Sequence, residues 1–428
     1  MKTVLDLHLH SKYSRACSPQ LTLAGIESAC QLKGVGIVGS ADFTYPAWFA
    51  SLKNELEEIG SSGLYRLKAG EPKAASAESS VEPKVKFLLS TELALIYKSG
   101  GKVRRIHLVV HAPNLSAVAE LNEFLDKHYN IRSDGRPILG MSAPDLVKLC
   151  LKIHPQFLIY PAHIWTPWFS VFGSKSGFDT LEECFDDQTE FIYAYETGLS
   201  SDPEMNWRVS ALDKLTLLSN SDAHSPANIA REANVFDLDE FSYAEIYNII
   251  KNKQSEKILY TIEFYPEEGM YHFDGHRDCN FSCETNEAKK LKGLCPVCKK
   301  PLTIGVASRV EELADRPAFA PGASSGKGDF KKLVELDKII AESLNIKSRA
   351  SKQVQVVYHN LIKAIGPELF ILLEADLEDI KKASDARIAE GLRRVRAGEL
   401  IIKPGFDGQY GEVKIFSDNE KETQKTLF

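Results

Sequence analysis

The segment Leu5-Asp6-Leu7-His8-Leu9-His10 decides how the chain is folded. In an extended strand successive side chains point to opposite faces, so Asp6, His8 and His10 share one face and Leu5, Leu7 and Leu9 the other. Two imidazoles one pleat apart, with a carboxylate behind them, can close on a single metal ion, and a neighbouring carboxylate often holds the imidazole tautomer. A half-buried edge strand with solvated histidines would show the same pattern. The outcome depends on whether later strands bring further ligands to the same place.

From residue 1 to about 265, short apolar runs alternate with amphipathic stretches. Strands are expected at 4–8, 36–39, 85–89, 106–110, 157–160, 191–194 and 215–218, with helices between many of them, such as 22–32, 115–127 and 143–152. This alternation indicates an α/β fold built on a parallel sheet or a β/α barrel. Nearly every strand ends in a possible ligand: His8 and His10, Asp42, Glu92, His107 and His111, His163, Glu196, then Asp222 and His224. Active sites of β/α barrels are assembled from the C-terminal ends of several strands, so this placement favours the barrel.

The chain has 428 residues, 43% apolar and 26% charged, which is too long for one ordinary core and suggests two or three domains. A net charge of -7 does not mark a nucleic-acid binder, so any DNA contact must use local basic patches. No apolar run spans a bilayer and no signal peptide precedes the first strand, which points to the cytoplasm. Of eight cysteines, Cys17, Cys30, Cys150 and Cys184 are scattered, while Cys279, Cys283, Cys295 and Cys298 are clustered. That is the pattern of a reducing compartment with one metal site. The stretch 60–84 holds little that could pack, and 70–83 is expected to be a surface insertion or flexible loop.

The pattern changes after 265. The clustered cysteines are separated by three, eleven and two residues, and Cys295-Pro-Val-Cys298 is a knuckle turn of the kind that closes a tetrahedral zinc site. Such a site has no open position, so it is structural. Lys289, Lys290, Lys292, Lys299 and Lys300 around it could contact phosphates or simply be solvated. A Pro, Gly and Ser-rich connector at 316–328 leads to a helical region at 330–397 and a β-like tail at 399–416. Arg387, Arg393, Arg394 and Arg396 lie on one expected helix, with Arg393 and Arg396 a turn apart on a basic or merely solvated face. Gly326-Lys327 lacks the spacing and the following Ser or Thr of a phosphate-binding loop, so ATP binding has no support. Trp165, Trp168 and Phe169 follow His163 and could stack on a base or cap the barrel mouth.

Asp-Leu-His-Leu-His at 6–10, Glu92, His163 at a strand end and Ser-Asp-Ala-His at 221–224 resemble the polymerase and histidinol phosphatase (PHP) family. That family is a distorted β/α barrel with a metal-dependent phosphoesterase site. The resemblance implies that His8, His10, Glu92 and Asp222 hold one divalent metal (zinc, manganese or magnesium), and that Glu92, His107 and His163 hold a second. His107 is preferred to His111 because it stands in Arg-Ile-His-Leu-Val, although both share a strand face. Phe43 stands where the family has a histidine, and Arg15 where many members offer a further ligand, which reduces a third site to Asp42 and His224. Asp42 is then either a ligand or an acceptor behind one. On this resemblance the catalytic group is His8, His10, Glu92, Asp222 and His224.

The order of parts is a PHP barrel at 1–265, a four-cysteine zinc module at 266–310 and a helical, basic region with a β tail at 311–428. Together with Tyr195-Glu196-Thr197-Gly198, Asn206-Trp207-Arg208 and Gly405-Phe406-Asp407-Gly408-Gln409-Tyr410-Gly411, it resembles the endonuclease Q family of DNA-repair nucleases. One departure is Tyr45, where a histidine would precede Pro46. The resemblance implies metal-dependent hydrolysis of the phosphodiester 5′ to a deaminated base (uracil, hypoxanthine, xanthine) or an abasic site, leaving a 3′ hydroxyl and a 5′ phosphate. Damaged DNA is then the partner, with Trp165, Trp168, Phe169, Arg208, Arg393 and Arg396 as contacts. Recruitment by a sliding clamp is left open. Two other classes remain: a small-molecule phosphoesterase of the same superfamily, and a DNA-binding protein with an inactive barrel.

Overall fold

The computed structural model describes residues 1–68, 85–318, 328–418 and 420. The insertion expected at 70–83 and most of the connector at 316–328 lie outside the described residues. The barrel part carries β1 (Lys2–Asp6), β2 (Ile37–Gly39), β3 (Leu56–Glu58), β4 (Leu64–Leu67), β5 (Lys86–Leu88), β6 (Ser90–Ser99), β7 (Lys102–His111), β8 (Ile138–Leu139), β9 (Leu158–Pro161), β10 (Ala194–Glu196), β11 (Thr216–Leu218), β12 (Ala233–Asp237) and β13 (Ile258–Glu263). Beyond it lie β14 (Asp274–His276), β15 (Phe281–Cys283), β16 (Phe330–Lys332), β17 (Ile401–Lys403) and β18 (Glu412–Lys414).

One sheet runs β16-β13-β12-β1-β2-β5-β4-β3, a second runs β8-β6-β7-β9, and β10 pairs with β11. Single hydrogen bonds join these ladders into a ring. Ala112 N donates to Leu89 O (3.1 Å), Ile164 N to Glu196 O (3.0 Å), Asp222 N to His8 O (3.0 Å) and His10 N to Ala223 O (3.1 Å). The result is a distorted β/α barrel: β1, β2 and β5 are parallel, whereas β6, β7 and β9 run antiparallel. The leucines of the first strand behave as alternation requires, with Leu5 and Leu7 fully buried.

Several boundaries differ from expectation, each for a local reason. β1 ends at Asp6, because residues 8–10 leave its ladder and bond to 222–223 instead. The strand expected at 191–194 is shifted to β10, since Asp186–Phe191 winds into a short 3-10 helix. Within 60–84, Leu64 and Tyr65 of β4 are buried, so that stretch does contribute to the core. The region from 330 is mostly helical, through helices such as Leu336–Ser343, Lys352–Ala364 and Ala386–Ala397, but it begins with β16 on the barrel sheet. The tail pairs β17 with β18 as the turn-rich sequence suggested. Among the described residues no helix is long and apolar enough to cross a membrane.

The helical region is fastened to the barrel by a buried ion pair. Lys33 Nζ, at the end of the helix Leu23–Lys33, meets Glu368 Oε2 at 3.0 Å. Glu368 also accepts from Tyr358 Oη (2.7 Å) and from Leu336 N (3.2 Å). Removing one partner of a buried pair leaves an uncompensated charge, which costs about 3–5 kcal/mol. Glu368→Leu should therefore lower the Tm clearly, while Lys33→Met combined with Glu368→Leu should recover most of the loss in thermal unfolding. A single variant that melts like the wild type would show that the pair holds nothing together.

Candidate active site

Two groups of ligand-type side chains meet at the barrel mouth: His8 and His10 follow β1, His163 follows β9 and Asp222 follows β11, while Glu92 lies near the start of β6 and His107 within β7. His8, His10, Glu92 and Asp222 form one, Glu92, His107 and His163 the other, and in each group the ligand atoms lie within 4.8 Å of one another. Glu92 belongs to both. Its Oε1 is 2.8 Å from His107 Nδ1, 3.1 Å from His163 Nε2 and 3.7 Å from His8 Nε2, and its Oε2 is 3.3 Å from His10 Nε2. His10 Nε2 lies 3.0 Å from Asp222 Oδ1. Within the register left open by the sequence, His107 enters the site. His111 is buried elsewhere, paired with Tyr160 Oη at 2.9 Å.

A further layer holds these imidazoles from behind. Glu196 accepts from His8 Nδ1 (2.9 Å), from the His163 backbone N (3.0 Å) and from Asn220 Nδ2 (3.0 Å). Asp42 lies outside both ligand groups, and of its two expected roles this geometry fits the acceptor. Its Oδ1 faces His10 Nδ1 at 3.2 Å, while its Oδ2 takes Ser11 N, Ser11 Oγ and Ser14 Oγ. Asp6 belongs to neither group and accepts from Ser221 N and Ala230 N, fixing the loop that carries Asp222. His224 also stands outside both groups. Its Nδ1 donates to the Asp222 carbonyl at 2.8 Å and its ring packs on His10, with the side chain 30% exposed.

Electrostatics follow from this crowding. Burial pushes the Glu92 carboxyl upward, but the charges of His107, Arg136 and His8 outweigh it and hold the group well below its usual range. Asp222 is likewise held low by its hydrogen bond to His10 and by the charges of His8 and His10, against burial. His8 and His10 are raised well above the ordinary imidazole value, because the carboxylates around them outweigh burial. In His107 burial wins and the ring is lowered to about 4. Sequence reasoning missed Arg136, whose Nη1 is 2.9 Å from Glu92 Oε2. It lies in Asp134-Gly135-Arg136-Pro137, a turn whose spacing carries no signal for a site.

The C-terminal helices match a family model, the MJ0043 C-terminal domain, over residues 335–399. The protein MJ0043 of Methanocaldococcus jannaschii is 33% identical over 260 residues; the match covers 58% of this chain, which thus spans only 31% of that relative. YqxK of Bacillus subtilis is 29% identical over 440 residues, covering 96% of this chain and 99% of its own. Among solved structures, the lesion-specific endonuclease PfuEndoQ of Pyrococcus furiosus superposes with a TM-score of 0.82 at 29% identity, covering 100% of this chain and 98% of its own. Endonuclease Q bound to a 27-mer duplex with an abasic lesion at its active site gives the same TM-score at 30% identity, with 98% of each chain covered. The chain belongs to the endonuclease Q family. It thereby falls among hydrolases of the endonuclease class.

The metal module of this endonuclease Q family chain corrects one expectation. His276, Cys279, Cys295 and Cys298 converge, with Cys298 Sγ 3.8 Å from His276 Nδ1, and Cys283 does not join them. β14 and β15 pair so that Asp274 faces Cys283 and His276 faces Phe281. His276 and Cys279 therefore sit at the hairpin tip, while Cys283 lies back along the strand and packs with Ala288 and Leu302. The signal was available: His276-Arg-Asp-Cys279 has the two-residue gap of Cys295-Pro-Val-Cys298, and Cys279 to Cys283 does not.

The expected substrate contacts also divide. Trp165 is buried, its Nε1 bonded to Asn206 Oδ1 at 2.7 Å, so it caps the barrel instead of offering a free face. Phe169 is half-buried against the His107 ring, and Trp168 is exposed beside Tyr271. The basic helix face is largely spent inside the protein. Arg393 pairs with Glu390 and Glu399, Arg394 with Glu390 and Glu420, and Arg396 donates to the carbonyls of Ile371, Leu372 and Ala375. Arg208 is bound to Glu311.

Two measurements test these assignments. Metal binding must displace protons from His8 and His10, whose affinity for protons is raised, so retention in the barrel should fall as pH drops. Dialysis at pH 5.5 and at pH 8, followed by elemental analysis, should show more barrel metal at the higher pH; equal content would contradict the site. In the module, Cys283→Ser should keep its metal and Cys279→Ser or His276→Ala should lose it, and the reverse order would restore the four-cysteine arrangement.

Proposed function

We propose that the chain is a lesion-specific DNA endonuclease that hydrolyses the phosphodiester on the 5′ side of a deaminated base or abasic site, leaving a 3′ hydroxyl and a 5′ phosphate. The observation that carries this is the pair of ligand groups sharing Glu92 in a chain alike over its full length to a nuclease captured with an abasic duplex. The residues fit divalent metals on a specific ground. His8 Nε2 is buried without a hydrogen-bond partner, yet faces Glu92 Oε1 and Asp222 Oδ1, each at 3.7 Å. That spacing leaves an imidazole lone pair and two carboxylates aimed at a common point.

His8, His10, Glu92 and Asp222 would hold one ion, and Glu92, His107 and His163 the other. Such a pair supplies, when bound, a water of lowered pKa and neutralisation of charge on the phosphate. Glu196 and Asp42 keep Nδ1 of His8 and His10 protonated, so that Nε2 of each ring is presented to the site. Trp168, exposed at the mouth, offers a face on which a displaced base can stack. Turning out a mispaired deaminated base costs less than turning out a paired one, which supplies part of the selectivity. The His276, Cys279, Cys295 and Cys298 site is closed and suits one structural zinc, with the neighbouring lysines placed for phosphate contacts.

The test uses labelled duplexes with one uracil, hypoxanthine or abasic site and an undamaged control, incubated with manganese, magnesium or zinc and with chelator. A single chelator-sensitive cut 5′ to the lesion is expected, and Asp222→Asn should slow it on the order of 100-fold or more. Absence of a lesion-dependent cut under every metal, together with hydrolysis of a phosphomonoester, would assign the barrel to small-molecule chemistry instead.

A further inference from the structure

We propose that Arg136 is the phosphate-binding cation of this centre, contacting the scissile phosphodiester through the part of its guanidinium that Glu92 leaves free. The proposal rests on the hydrolytic reading of the site above, but not on which lesion is preferred.

The loop that carries Arg136 is seated directly on the metal-ligand layer. Gly135 N donates to Tyr13 O at 3.0 Å, Ala94 N to Pro137 O at 3.1 Å, and Arg136 N to Asp134 Oδ1 at 3.0 Å. A Cβ at Gly135 would lie 2.4 Å from both Asp42 Oδ2 and Ser14 Oγ, so only glycine lets the loop come this close to the carboxylate behind His10. Arg136 is thus positioned by the same residues that position a ligand. Pre-organisation of this kind is what a transition-state contact requires.

The side chain itself is only partly used. A guanidinium has five N–H donors, and among the described residues only Nη1 of Arg136 makes a side-chain hydrogen bond, to Glu92 Oε2 at 2.9 Å. Glu92 is fully buried, whereas the Arg136 side chain is 25% exposed, so part of it remains open to solvent beside the site. Asp222 and Asp134 are the other anions that act on it.

Charge gives the reason for its presence. A fixed cation beside two divalent ions opposes their binding, and a counter-ion for Glu92 alone becomes redundant once metals share that carboxylate. An arriving phosphodiester reverses the sign of the argument, since it brings the anion that ions and guanidinium can share. The planar fork of arginine matches two phosphate oxygens, which the ammonium of lysine cannot do.

Arg136→Gln and Arg136→Lys separate this role from a purely structural one. Three readouts are taken on full-length protein: metal content, affinity of the metal-loaded protein for inorganic phosphate by calorimetry, and kcat and KM on an abasic-site duplex. Arg136→Gln should keep the wild-type metal content, bind inorganic phosphate about 10- to 100-fold more weakly, the factor carried by a charge-assisted hydrogen bond, and lose kcat by about 10²–10³ with a smaller change in KM. Arg136→Lys should recover phosphate affinity more than kcat. Unchanged phosphate affinity in fully loaded Arg136→Gln would overturn the proposal, as would loss of metal with the remaining loaded fraction binding phosphate normally. A wild-type protein that cuts no lesion duplex would sink the lesion reading, while the phosphate measurement would still decide the role of Arg136.

Discussion

A carboxylate with no exposed surface, Glu92, stands at the centre of the barrel mouth, and most of the local structure exists to make that burial tolerable. An isolated buried carboxylate is strongly disfavoured, and a group so placed must be neutralised by cations, donors or metal. Here four imidazoles and a guanidinium surround it, delivered by four segments of chain, of which the first supplies both His8 and His10. Those segments are in turn pinned by a second ring of buried acceptors, Asp6, Asp42 and Glu196, that grip backbone amides as well as side chains. The barrel ring depends on the same junctions, because His8, His10 and Glu196 supply backbone groups to the hydrogen bonds that join the separate ladders.

The parts legible in the sequence were those where periodicity and chemistry coincide. Alternation in Leu5–His10 placed three leucines in the core and two imidazoles in the site, and the strand-end reading found His163 and Asp222, whereas Glu92 and His107 reach the same place from within β6 and β7. What escaped was set by tertiary contact. Arg136 sits in a turn that any solvent-facing loop could contain, and only its seat against Asp42 and Ser14 makes it part of the centre. The arginines of Ala386–Ala397 have the spacing of a basic face, but Glu390, Glu399 and Glu420 consume it, two of them lying beyond the helix. Cys283 illustrates a third cause: hairpin register, not residue type, decides which side chains reach the tip.

The three regions share structure instead of meeting as separate bodies. The turn around Gly405–Gly408 docks onto the start of the metal module, where Phe273 N donates to Gly405 O and Gly408 N to Met270 O. Gly275 leaves room there for the Phe406 ring, which a Cβ would approach to 2.4 Å. Tyr271 of that segment lies against Trp168 at the barrel mouth, so tail, module and site rim form one continuous contact.

The small strand β16 carries a consequence for how the chain tolerates division. It follows the connector, yet it supplies the outer ladder of the barrel sheet beside β13. Its lysines are both occupied on that side, Lys331 over the Tyr260 ring and Lys332 with Asp202. A barrel cut free at 310 would present β13 as a bare edge of unpaired amides and carbonyls, without the charged border that discourages strand addition. Such a fragment has the surface of a self-associating β edge. The edge of the barrel sheet is therefore covered by residues that the sequence assigns to the other half.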